Sequence, residues 1–113
     1  MTLIELPEKR RRMPFNTQYS LSITFTAEVI HWRGPAPYFY LVVPKKYVRA
    51  IKDLTPEISF GWGMIPADCS AYGHEFYTAL FPKDDTYYLP LRKDIRKKLG
   101  VELGDTVKVT ANF

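Results

Sequence analysis

A small, mainly β domain is what this sequence predicts: a closed or nearly closed β-barrel carrying two short helices. Three observations carry that expectation. Residues 21–29 (LSITFTAEV) alternate apolar and polar with a period of two, the mark of a half-buried antiparallel strand. Nine prolines and six glycines in 113 residues divide the chain into pieces too short for long helices. A strand–proline–helix unit occurs twice, as YLVVPKKYVRAIKDL and YYLPLRKDIRKKLG, so two strands of one barrel would each deliver a short helix to an end.

The elements follow in order. Residues 1–17 show no apolar period and gather Lys9, Arg10, Arg11 and Arg12 between two prolines; an extended basic arm is expected there, with a single domain over 18–113. In the first strand Leu21, Ile23, Phe25, Ala27 and Val29 share one face, while Ser22, Thr24, Thr26 and Glu28 take the other. HWRGPAP is expected to turn the chain, and YFYLVV (38–43), apolar on both faces, to run centrally. Pro44 suits the first position of a helix whose apolar side is Tyr47, Val48, Ile51 and Leu54 and whose basic side is Lys45, Lys46, Arg49 and Lys52. EISFGWGMIP, HEFYTALF and TYYLPL read as three more strands, joined by turns at Gly73 and at PKDD. Pro90 then opens a helix with Leu91, Ile95 and Leu99 on its buried stripe. Gly100 serves as its left-handed cap and Val101 folds back on its last turn. After a GD turn, TVKVT closes the chain with Val107 and Val109 on one side.

Composition excludes several classes of function. The chain is 46% hydrophobic and 15% aromatic, which places it among folded domains. Its net charge of +4 is compatible with a polyanionic partner without requiring one. Cys69 is the sole cysteine, so neither an internal disulfide nor a cysteine-based zinc cluster can form. No apolar run approaches the roughly 20 residues of a membrane span, and MTLIELPEKRRR lacks the apolar centre of a signal peptide. A cytoplasmic protein with no membrane partner is therefore expected. His31, His74, Cys69, Asp68, Asp84 and Asp85 are the candidates for metal ligation or proton transfer, and none has a spacing that imposes ligand geometry. No serine–histidine–aspartate arrangement and no glycine-rich phosphate loop is detectable, so no metal, no cofactor and no catalytic residue is expected.

Two candidate binding features remain. Trp62 lies between Gly61 and Gly63, and glycines within a strand mark a bulge or a close approach. With Tyr88 and the neighbouring aromatics, Trp62 could line a barrel mouth that holds a ligand, or it could be a core residue at a barrel corner. Arg92, Lys93, Arg96 and Lys97 would form one contiguous basic patch on the last helix, joined by Arg10, Arg11 and Arg12 of the arm. That patch reads first as a solvated scaffold face whose charges suit a helix C-terminus, and second as a set of phosphate contacts.

The segments ITFTAEVI, LVVPKKY, FYTALFP and YYLPLRKDIRKKLGVELGD together resemble the DUF1905 family, over most of the chain. That resemblance implies a small β-barrel with short helices and brings no catalytic role with it. The sequence departs from the family pattern at Ala79, where serine is common, at residues 38–40, where tryptophan is frequent, and in KDDTYY, which lacks the usual glycine. The closing segment alone is also similar to AbrB-type swapped-hairpin DNA-binding domains. The functional expectation is a non-catalytic binding module for a small ligand or a protein partner; the alternative is a nucleic-acid-binding protein that uses the arm and the last helix. A barrel complete within one chain is expected, as a monomer or as a homodimer formed through an outer surface.

Overall fold

The structure, a computed structural model, describes residues 19–33, 37–54 and 63–113. Among the described residues there are seven strands: β1 (Ser22–Glu28), β2 (Ile30–Arg33), β3 (Pro37–Val42), β4 (Ile65–Ala71), β5 (His74–Lys83), β6 (Thr86–Pro90) and β7 (Thr106–Asn112). They hydrogen-bond in the order β1-β7-β4-β5-β6-β3-β2, every pair antiparallel. The two ends of that order are covalently joined, because only Val29 separates β1 from β2, and the sheet curls into a nearly closed barrel.

Corners come from two bent strands. The first half of the β1–β2 strand pairs with β7 and the second half with β3. Val29 sits at its bend, fully buried, with its N–H bonded to the Asp105 carbonyl at 2.8 Å and its carbonyl accepting from Gly104 N–H at 3.0 Å. β5 changes partner in the same way, pairing with β4 through residues 74–80 and with β6 through 81–83.

The predicted period of two holds along β1, where Ile23 and Phe25 are buried and Ser22, Thr24, Thr26 and Glu28 exposed. Val107, Val109 and Ala111 of β7 meet them across the ladder. Inward residues of the other strands, among them Leu41, Ile65, Leu80 and Leu89, complete one hydrophobic cluster that fills the barrel.

Each strand–proline–helix unit places its helix at one end. After β3 comes a 3₁₀ turn (Lys45–Tyr47) and the helix α1 (Val48–Lys52). Ile51 is completely buried, worth about 1.5–3 kcal/mol, while Tyr47, Val48 and Leu54 pack around it. After β6 comes α2 (Lys93–Leu99), which buries Ile95 and Leu99, with Leu91 buried just before it. Since β3 and β6 are antiparallel neighbours, the helices that follow them cap opposite ends. The cap of α2 is as expected: Gly100 holds φ of 71° and donates to Arg96 O at 2.8 Å, and Val101 N–H bonds the same carbonyl at 3.1 Å.

Four boundaries differ from the sequence reading. His31, Trp32 and Arg33 extend the strand rather than turn it, because β3 offers them a ladder. β4 runs on through PADCSA, whose small side chains hid the inward row of Ala67, Cys69 and Ala71. Pro44 precedes its helix, with ψ of 139°, and Pro90 ends β6, so that Arg92 rather than proline stands at the start of α2. The part of the expected strand EISFGWGMIP before Gly63 lies outside the described residues.

Candidate functional site

Alternation along β6 decides which tyrosine reaches the barrel mouth. Leu89 and Tyr87 point inward, into the cluster that fills the barrel. Tyr88 therefore points outward, although it is only 8% exposed. There it packs with Tyr40 and Phe81, the three ring centres lying 5.4–5.8 Å apart, and Tyr38 extends the row at 6.2 Å from Tyr40. The Tyr88 hydroxyl donates to Asp84 Oδ2 at 2.7 Å. That bond, then burial, then the Asp84 charge raise the Tyr88 pKa above its ordinary value. Tyr88 thus belongs to an outer aromatic patch. Trp62, its expected companion, lies outside the described residues.

The mouth itself lies between α1 and the β5–β6 hairpin. Val43 ties these parts together: its N–H bonds Tyr87 O at 2.9 Å, and its carbonyl accepts from Thr86 Oγ1 at 2.5 Å. Between them opens a cleft of about 460 Å³, lined by Val48, Lys52, Pro82, Lys83, Asp85, Thr86 and Tyr87. Its size falls in the range of small-molecule sites. Val48, Pro82 and Tyr87 give it an apolar floor, Lys52 and Asp85 border it from either side, and the Lys83 ammonium lies 6.0 Å from the Tyr88 ring centre, toward the outer patch. Burial raises the Tyr87 pKa, so this phenol is neutral at physiological pH and brings no negative charge to the cleft. Sequence reasoning put Lys52 on the basic side of a helix and the PKDD residues in a turn; it missed that they border one cleft because that depends on β3 pairing with β6. The usable signal was the alternation of Tyr87 with Tyr88.

A smaller cleft, of about 160 Å³, opens on the outer side of β4, β5 and β7 beside Tyr19, Asp68, Ser70, Glu75 and Asn112. Its polar groups are bound to one another: Tyr19 Oη donates to Asp68 Oδ2 at 2.8 Å, Asn112 Nδ2 to Asp68 O at 3.2 Å, and Ser22 Oγ to Asn112 Oδ1 at 2.6 Å.

On α2 the predicted basic patch is split. Arg92 turns to one flank, donating from Nε to Asp94 at 3.3 Å and from Nη1 to Tyr77 O at 3.2 Å, so Asp94 serves Arg92 instead of Lys98. Arg96 turns to the other flank, where Nη1 bonds Leu91 O at 2.8 Å and the guanidinium lies 3.9 Å from the Phe39 ring centre. Both arginines brace the helix against the barrel. Lys93 and Lys97 stay exposed at its outer edge, and Lys98 is exposed on the Asp94 flank. Arg10, Arg11 and Arg12 lie outside the described residues. Among the described residues no group of His, Cys, Asp and Glu is placed to hold a metal, and no helix is long and apolar enough to cross a membrane.

A nearly closed antiparallel barrel with a helix over each end and a cleft beside one of those helices defines a small barrel domain. A family model for DUF1905, a domain of unknown function, matches residues 25–110, and the chain belongs to that family. The match lends no support to the AbrB-type resemblance of the closing segment, and within this chain β7 finds its partners in β1 and β4. No curated protein matches the chain.

Proposed function

We propose that this protein is a non-catalytic binding module that takes a small ligand in the mouth between α1 and the β5–β6 hairpin. The observation that carries this reading is the cleft of about 460 Å³, which combines an apolar floor with charged groups from both walls. The barrel interior is filled by side chains, so a ligand would seat at the end of the barrel and not inside it. The test is a fragment screen of the full chain by amide NMR. Hits are expected to move the amides of Val48, Lys52, Lys83, Thr86 and Tyr87 together; hits that cluster elsewhere, or none, would refute the site.

A second reading, nucleic-acid binding, has one observation in its favour. The described chain begins at Tyr19, which is bonded to Asp68. Asp68 is the ladder partner of Tyr77, whose carbonyl holds Arg92. The attachment point of the basic arm is thus on the same flank as α2. On this reading Lys93, Lys97 and Lys98, together with Arg10, Arg11 and Arg12, would contact phosphates. A gel shift with single- and double-stranded oligonucleotides at two salt concentrations tests it, and a complex insensitive to salt would argue against it.

A further inference from the structure

At the other end of the barrel, a cleft joins exposed lysines to a stacked arginine. It opens between α2 and the turn that follows, measures about 360 Å³, and is lined by Lys93, Arg96, Lys97, Gly100, Val101 and Glu102. Three cations thus line it against one carboxylate, and the carboxylate of α2 itself, Asp94, is engaged by Arg92. Lys93 and Lys97 are exposed and stand one helical turn apart, about 6 Å along the axis. Arg96 is fixed beside them: Nη1 bonds Leu91 O at 2.8 Å, and the guanidinium lies 3.9 Å from the Phe39 ring centre. Phe39 is supported in turn by its ladder partner His31, whose ring centre is 5.1 Å away.

We infer that this cleft takes one base of a single-stranded nucleic acid, stacked on the Arg96 guanidinium, with the flanking phosphates at Lys93 and Lys97. This rests on the second reading, in which the lysines of α2 contact phosphates, and specifies the form of nucleic acid bound. A guanidinium offers a flat face on which a base can stack. Here Phe39 and the Leu91 carbonyl already hold that plane, so little freedom is lost when a base arrives. Bases within a duplex are stacked on one another and have no face to offer. An acidic peptide would match the charge and leave the flat surface uncovered.

Fluorescence polarisation of the full chain with three labelled probes of equal length separates the claims: oligothymidylate, an abasic strand with the same phosphates, and a duplex. Oligothymidylate is expected to bind at least fivefold more tightly than either of the others, as stacking of a base predicts. Arg96→Lys keeps the charge and removes the flat face. It is expected to weaken oligothymidylate at least threefold and leave the abasic strand within twofold, with unchanged circular dichroism. Lys93→Gln and Lys97→Gln should weaken both strands alike, about twofold to fivefold, and make the salt dependence shallower. Equal binding of the three probes, weakened by the lysine substitutions but not by Arg96→Lys, would overturn the stacked base and leave the second reading standing. Oligoglutamate that binds as tightly as oligothymidylate would also overturn it, in favour of an acidic protein partner. If no probe binds at low salt, or neither lysine substitution weakens binding, both claims fall.

Discussion

Tyr88 and Asp84 are joined by a 2.7 Å hydrogen bond across a two-residue hairpin turn, and Asp84 holds φ of 54° to make it. Asp85 follows at φ of 63°, so both central residues of the turn occupy the left-handed region without being glycine. This hairpin carries one wall of the proposed mouth. Asp84 is held in place by its bond to Tyr88, whereas Asp85 has no side-chain bond to Tyr88 that would offset the conformation. Asp85→Gly is therefore expected to raise stability by about 0.5–1 kcal/mol in urea denaturation, since glycine adopts positive φ freely. Asp84→Gly, which also deletes the bond, is expected to lower it by about 1 kcal/mol.

Stability should fall on the alkaline side. The pKa values of Tyr40 and Tyr87 are raised first by burial, and that of Tyr88 first by its bond to Asp84. A phenol whose folded pKa exceeds its unfolded value, 10.0, favours the folded state while both forms are protonated. That contribution is complete below pH 10 and is lost as pH climbs through the folded values. Denaturation midpoints are expected to be insensitive to these tyrosines from pH 7 to 9 and to drop above 10, with a shallower drop for Tyr87→Phe. An equally steep drop in that variant would contradict the assignment.

Arg96 and Lys97 are neighbours in sequence with different work. Arg96→Ala removes the bond to Leu91 O and the contact with Phe39, at an expected cost of about 1 kcal/mol. Lys97→Ala should change stability by less than about 0.5 kcal/mol, as exposed substitutions do. Thermal denaturation of both variants checks the pair, and equal effects would show that the arginine does not brace the helix.

Gly100 tests the helix cap. Nothing lies within 4 Å of a Cβ placed there, so Gly100→Ala meets no steric clash and pays only for its φ of 71°. The expected loss is about 1 kcal/mol, and Gly100→Asn should lose less because asparagine tolerates the left-handed region better. Urea denaturation of the two variants measures the difference.

Most of the architecture was legible in the sequence because it is written in local patterns. The period of two in β1, the stripe of Leu91, Ile95 and Leu99, the Gly100 cap and the PKDD turn each depend on residues close in the chain. What was not legible depends on pairing over distance. β2 needs β3 as a partner, and the inward row of Ala67, Cys69 and Ala71 is too small to mark a strand unaided. Tyr88 was expected at an aromatic mouth, and alternation along β6 sets it with Tyr40 and Phe81 on the outer side while Tyr87 turns inward. The basic patch was read from helical spacing alone, which does not show that Arg92 and Arg96 reach carbonyl groups at Tyr77 and Leu91.

The most direct measurement on the proposed mouth is a crystal structure of the full chain with the tightest-binding hit of the fragment screen. The expected result is a fragment seated against Val48, Pro82 and Tyr87, between α1 and the β5–β6 hairpin. A fragment seated on the outer patch of Tyr40, Phe81 and Tyr88, or a cleft that stays empty while the fragment binds elsewhere, would contradict it.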